Sequence, residues 1–103
     1  MKISDQYNKK SEVVLYHGDC LDLLKKIPDN SVMLVVTSPP YNLGKEYEKW
    51  KPMKDYLKEL EAVIAECVRI LHPKGSICWQ VGNYVQRSEV FPLDILLYSE
   101  FKK

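Results

Sequence analysis

Apolar and polar residues change rhythm several times along the chain. Residues 1–12 (MKISDQYNKKSE) are polar and without a clean period, which predicts a tail or leading loop. Val13-Val14-Leu15-Tyr16 is a short, β-branched apolar run and predicts a first strand over 13–17, closed by His17-Gly18-Asp19. In the CLDLLKKI stretch that follows, Cys20, Leu23, Leu24 and Ile27 share one helical face. Asp19 is placed to cap that short helix, with Asp22 three residues on as a weaker acidic form of the capping pattern. Pro28-Asp29-Asn30 then turns the chain.

Val32-Met33-Leu34-Val35-Val36 is apolar at every position instead of alternating. A strand of that kind is expected to be covered on both faces and to be the most buried of the set. It must stop at Thr37-Ser38-Pro39-Pro40, because proline cannot donate to a ladder. Residues 42–52 read as a polar loop. From 53 to 71, Met53, Leu57, Leu60, Ile64, Cys67 and Leu71 recur at steps of three and four, the buried stripe of a long helix. His72-Pro73-Lys74-Gly75 ends that helix. A third strand is predicted over 76–81, ended by Gly82-Asn83. A last helix is predicted over 88–101, with Phe91, Ile95, Leu96 and Tyr98 inward. Strands alternating with helices imply right-handed crossovers and an α/β class, with a parallel three-stranded core and flanking helices.

Composition narrows this little. The 103 residues, 46% hydrophobic and 28% charged, suit one soluble globular domain and argue against disorder throughout. The expected organisation is a polar segment 1–12 followed by one domain over 13–103. A net charge of +1 gives no general attraction to phosphate, so any nucleic-acid surface must be local. Cys20, Cys67 and Cys78 form no CxxC pair, and His17 and His72 are far apart, so no metal site is expected. The cysteines, like Trp79, read as packing residues in a reducing compartment. With no apolar leader or membrane-length run, a cytoplasmic location is expected.

Chemistry concentrates at one rim. In open parallel sheets, ligands gather beyond the carboxyl ends of the strands. His17-Gly18-Asp19, Thr37 to Asn42 and Val81-Gly82-Asn83 all fall at such ends. The two prolines stiffen the central segment. Ser38 and the proline carbonyls can accept hydrogens from an amine, and Tyr41 can stack on a flat ring. A rigid turn with a core-facing tyrosine explains the same residues.

VVTSPPYNLG resembles the catalytic motif of DNA amino-methyltransferases, which modify cytosine N4 or adenine N6. GDCLDLLKKIPDNSV is similar to the segment that leads into the motif in permuted members, and HPKGSICWQVGNY to the strand after their long helix. The resemblance spans about 13–101. It implies a partial Rossmann-like fold with an incomplete sheet, S-adenosylmethionine as cofactor, double-stranded DNA as partner and a restriction–modification setting. It also implies roles. Ser38 Oγ and the Pro39 carbonyl would accept the amine hydrogens, Pro40 would shape the loop, and Tyr41 would stack on a base flipped from the duplex. A serine at 38, where many adenine-modifying relatives carry Asp, slightly favours cytosine N4. Asp19 resembles the acidic residue near the cofactor's adenine, a role compatible with capping. Asn42 and Asn83 are rim candidates for cofactor contact. Tyr47 and Trp50 either touch the nucleotide or anchor the loop. Lys45, Lys49, Lys51 and Lys54 are diluted by Glu46, Glu48 and Asp55, and read better as a solvated surface.

The family's Gly-rich cofactor loop has no counterpart here. The glycines are Gly18, Gly44, Gly75 and Gly82, and no FxGxG occurs among them. The expectation is a truncated product, a partner for a complementing polypeptide, or part of a longer protein. The isolated chain is then expected to be inactive, with an apolar edge that promotes self-association. The competing readings are an inactive remnant and a non-enzymatic small α/β module that binds a nucleotide or a protein.

Overall fold

A computed structural model describes residues 1–39, 52–86 and 88–102, with the backbone alone at 83–86 and 91. In chain order its elements are β1 (Ile3–Ser4), β2 (Val13–Val14), α1 (Cys20–Leu24), β3 (Val32–Thr37), α2 (Met53–Ile70), β4 (Leu71–Trp79), β5 (Asn83–Gln86), β6 (Glu89–Pro92) and α3 (Leu93–Phe101). The centre of the fold is the unit β3–α2–β4. Parallel neighbours cannot be joined by a tight turn, and α2 supplies the crossover that lets β4 run alongside β3.

An α/β fold with parallel strands is what the periodicity implied, and an incomplete sheet is what the resemblance implied, but the expected strands do not form one three-stranded sheet. β2 pairs in parallel with β1, β3 with β4, and β5 with β6 as an antiparallel hairpin. Residues 1–12 are therefore not simply a tail. Ile3–Ser4 reaches β2 across a short connection, and Leu15 N–H donates to the Ser4 carbonyl at 2.9 Å. The expected final helix is shorter as well. Ser88 adopts a left-handed φ of 64° at the turn of the β5–β6 hairpin, and Pro92 leads into α3 only at Leu93. The β-branched Val90 beside Phe91 suits a strand better than a helix.

The core is built by α2 and α3. Tyr56, Leu60, Ile64, Leu93 and Leu97 form one buried cluster, with Met53, Leu57, Val68, Trp79, Val81, Leu96 and Phe101 packed around it. Fully burying side chains of this size contributes roughly 1.5–3 kcal/mol each. The expected stripe of α2 holds at Leu60, Ile64 and Cys67, and is widened by Tyr56 and Ile70, while Leu71 passes into β4. On α3 the inward pair is Leu93 and Leu97, one helical turn apart. Ile95 and Tyr98, expected to face inward, are exposed.

β3 is not the most buried strand. Leu34 is 57% exposed and Val36 69%. The helices cover one face of the β3–β4 pair, where Trp79 meets the core and its ring makes an edge contact with Phe101 at 5.3 Å. Leu34 and Val36, opposite Ser76 and Cys78, lie on the other face, which stays open among the described residues. The same opening exposes Cys78. Cys20, at the first turn of α1, is exposed too, so only Cys67 is the buried small hydrophobe expected of all three.

Two reciprocal caps lock α1, α2 and β3 together. Asn30, at a left-handed φ of 55°, and Ser31 donate their N–H groups to the carbonyls of Arg69 and Ile70 at 3.1 and 2.8 Å, which satisfies the last turn of α2. In return the Arg69 guanidinium donates to the carbonyls of Leu24, the last residue of α1, and Ile27 at 2.8 and 2.9 Å, and pairs with Glu66 and Asp29. Sequence reasoning missed Arg69, because its partners other than Glu66 lie some forty residues away.

Candidate active site

The site begins with register. β3 and β4 run parallel with Val35 opposite Ile77, Val36 opposite Cys78 and Thr37 opposite Trp79, so their carboxyl ends coincide. One residue further, Gln80 N–H donates to the Thr37 carbonyl at 3.0 Å. The two chains thus leave the sheet side by side, one as Ser38-Pro39 and the other as Gln80-Val81. Ser38 is exposed and Pro39 buried. An open concavity of about 550 Å³ lies here, lined by Val36, Thr37, Ser38, Cys78, Trp79 and Gln80. A pocket of this size is within the range of small-ligand sites.

Register is set where β4 begins. β4 advances from Leu71 to Ser76 while β3 advances from Val32 to Leu34, so an irregularity precedes the regular ladder. Gly75 sits in it, and a Cβ there would stand 2.9 Å from the Met33 carbonyl oxygen and 3.0 Å from that of Val32. A bare backbone is required for this approach.

Asp19 stands at the start of α1. Its Oδ1 accepts the N–H of Leu21 at 2.9 Å, so the capping role is realised. Asp19 is exposed, and it is not among the described residues that line the Ser38 concavity. Asn83 is the first residue of β5, paired opposite Pro92, where a loop position had been expected. Pro40, Tyr41 and Asn42 lie outside the described residues, as do Lys45, Tyr47, Lys49, Trp50 and Lys51. Sequence reasoning passed over Gln80 by running the third strand on to Val81. A polar residue just after an apolar run, at a carboxyl end, was the available signal.

Of the cysteines, Cys78 lines the concavity, while Cys20 and Cys67 do not. Burial pushes the Cys67 thiol up, helped by negative charge at Cys20 and Glu66. Burial and then Asp19 push up Cys20. Raised thiols are poor nucleophiles. Among the described residues, no three metal-ligating side chains converge, and no helix is long and apolar enough to cross a membrane.

Ser38-Pro39 leaves a parallel strand beside the strand that follows a crossover helix, and in sequence it opens a Ser-Pro-Pro-Tyr motif; together these mark a class, the amino-group methyltransferases of the Rossmann-like kind. The chain belongs to the N6_N4_Mtase family, described as DNA methylase, whose family pattern matches residues 32–103. It is 46% identical to the type II methyltransferase M.BglII of Bacillus subtilis over 97% of its own length and 28% of that protein's. It is similar to a solved Thermus thermophilus protein assigned as a DNA modification methylase, with a TM-score of 0.66 and 38% identity, covering 82% of this chain and 35% of that one. The PvuII DNA methyltransferase, named as cytosine-N4-specific, shares the fold, with a TM-score of 0.62 and 24% identity over 84% of this chain and 33% of that one. The chain therefore spans about a third or less of the length of these relatives.

Proposed function

We propose that these residues form the target-amine half of a DNA methyltransferase, and that the complete protein transfers a methyl group from S-adenosylmethionine to an exocyclic amine of a base in double-stranded DNA. The observation that carries this reading is the aligned exit of β3 and β4, which holds Ser38 at the mouth of an open concavity. An exocyclic amine is a poor nucleophile, because its lone pair is delocalised into the ring. Ser38 Oγ and the Pro39 carbonyl accept its hydrogens and draw the nitrogen toward tetrahedral geometry. Pro40 stiffens the loop and Tyr41 stacks on the flipped base, so the gain comes from positioning and preorganised acceptors. Serine at position 38 favours cytosine N4 over adenine N6.

The cofactor, when bound, supplies an electrophilic methyl on a sulfonium. The described residues fit it in part. Asp19 is exposed at the start of α1, and only its Oδ1 is used in the cap, which leaves the second carboxylate oxygen for a hydroxyl or amino group. Asn42 and Asn83 are the further candidates for holding it. The open face at Leu34, Val36 and Cys78 favours the version of this reading in which further polypeptide, continuous with this chain or separate, covers the sheet.

The test is transfer of tritiated methyl from S-adenosylmethionine to mixed-sequence duplex DNA by the native protein, purified with any polypeptide that accompanies it. The product is then digested to nucleosides. Label in N4-methylcytosine is expected. Label in N6-methyladenine would keep the function and overturn the base preference, and no label would overturn both.

A further inference from the structure

We propose that Gln80 is a positioning residue whose carboxamide hydrogen-bonds to the ring nitrogen beside the target amine. This rests on the methyltransferase reading and deepens it. Gln80 is exposed and lines the concavity with Ser38. Its backbone is committed, because its N–H donates to the Thr37 carbonyl at 3.0 Å, and this fixes its Cα beside the residue that precedes Ser38. Its side chain has no hydrogen-bond partner among the described residues. A fixed backbone and an uncommitted side chain are what a positioning contact requires.

The chemistry of the substrate class calls for a hydrogen-bond donor at this position. In cytosine and in adenine, the exocyclic amine stands next to an unprotonated ring nitrogen. The amine is a donor and the ring nitrogen an acceptor, in one plane. Glutamine supplies the donor for that ring nitrogen through Nε2, and its Oε1 takes no amine hydrogen, because the two hydrogens of the amine go to Ser38 Oγ and the Pro39 carbonyl. With Nε2 donating to the ring nitrogen, the base is turned so that its amine points toward Ser38. The contact serves either base and leaves the acceptor role of Ser38 untouched.

The test uses the native protein and duplexes that carry either the natural target base or its deaza analogue, in which C–H replaces the ring nitrogen. Single-turnover methyl transfer is compared for wild type, Gln80→Ala and Gln80→Glu, with Ser38→Ala as control. Losing one hydrogen bond of this kind is expected to slow transfer about tenfold in Gln80→Ala on the natural base, and about tenfold in wild type on the analogue. Gln80→Ala on the analogue should be no slower than either change alone, because both remove the same bond. Gln80→Glu keeps the size and removes the donor, so it should lose at least as much. It also serves as the informative variant if Gln80→Ala does not fold. Unchanged rates in the Gln80 variants, or losses that multiply on the analogue, would overturn the proposal. Wild type that transfers, fails as Ser38→Ala and is indifferent to Gln80 removes this inference alone. Wild type that transfers nothing removes the methyltransferase reading, and this inference with it.

Discussion

The backbone N–H of Gln80 donates to the carbonyl oxygen of Thr37 at 3.0 Å, one residue beyond the point where Thr37 faces Trp79. That bond extends the β3–β4 ladder just past its regular end. It places Ser38, the next residue after Thr37, beside the strand that follows the crossover helix. The register behind it is fixed near Gly75, at the other end of the strand pair.

Gly75→Ala should therefore weaken the fold. The added methyl would meet two backbone oxygens of β3 as well as Leu71 Cδ1 at 2.8 Å, and the backbone atoms cannot move without disturbing the pairing. Overpacking of this kind costs about 1–3 kcal/mol. Urea unfolding should show a lower midpoint with an unchanged slope, and an unchanged midpoint would contradict the tight approach.

Alkaline pH should destabilise the protein through its thiols. Cys67 and Cys20 are raised above the ordinary thiol value, first by burial, then by neighbouring negative charge. The unfolded chain then releases these protons at lower pH than the folded one. Their contribution is fully present below the ordinary thiol range and is lost as pH rises through the raised folded values. Unfolding free energy measured from about pH 8 upward should fall, and should fall less steeply in Cys67→Ala. An equal slope in both proteins would rule out Cys67 as a contributor.

Much of this was legible in the residues. The α2 stripe, the stop at Pro39-Pro40 and the cap at Asp19 are local rules, and the structure follows each where it is described. What failed was non-local. An all-apolar strand implies two covered faces, yet among the described residues only one face of β3 is packed, and no local pattern at Leu34 or Val36 says what covers the other. The pairing of β1 with β2 and the β5–β6 hairpin depend on partners that a period of two cannot name. Ile95 and Tyr98 fit a helical stripe equally well as Leu93 and Leu97 do, and packing on α2 decided between them. In the candidate site, Ser38 was singled out by its motif, and the structure places it on the lining of the concavity. Gln80 was missed because its place beside Ser38 comes from register, which the sequence does not display.

The 103 residues on their own are expected to transfer little or no methyl group and to self-associate through the open β3 face. No FxGxG loop occurs among them, and Leu34 and Val36 lie exposed beside Cys78. Methyl transfer needs donor and acceptor held in line, and a small misplacement costs about a hundredfold. Sedimentation of the purified chain should show species larger than a monomer, and the tritiated-methyl assay should stay at background. Robust turnover by a monomer of this chain would show that these residues form a complete enzyme.

The central claim, that Ser38 accepts a hydrogen of the amine under attack, is tested most directly by single-turnover methyl transfer in Ser38→Ala of the native protein. Removing one preorganised hydrogen-bonding group from a transition state costs on the order of a hundredfold in rate. The account predicts a loss of that size, with cofactor binding by calorimetry unchanged, because the role proposed for Ser38 is toward the base and not the cofactor. A transfer rate in Ser38→Ala equal to that of the wild type would contradict it.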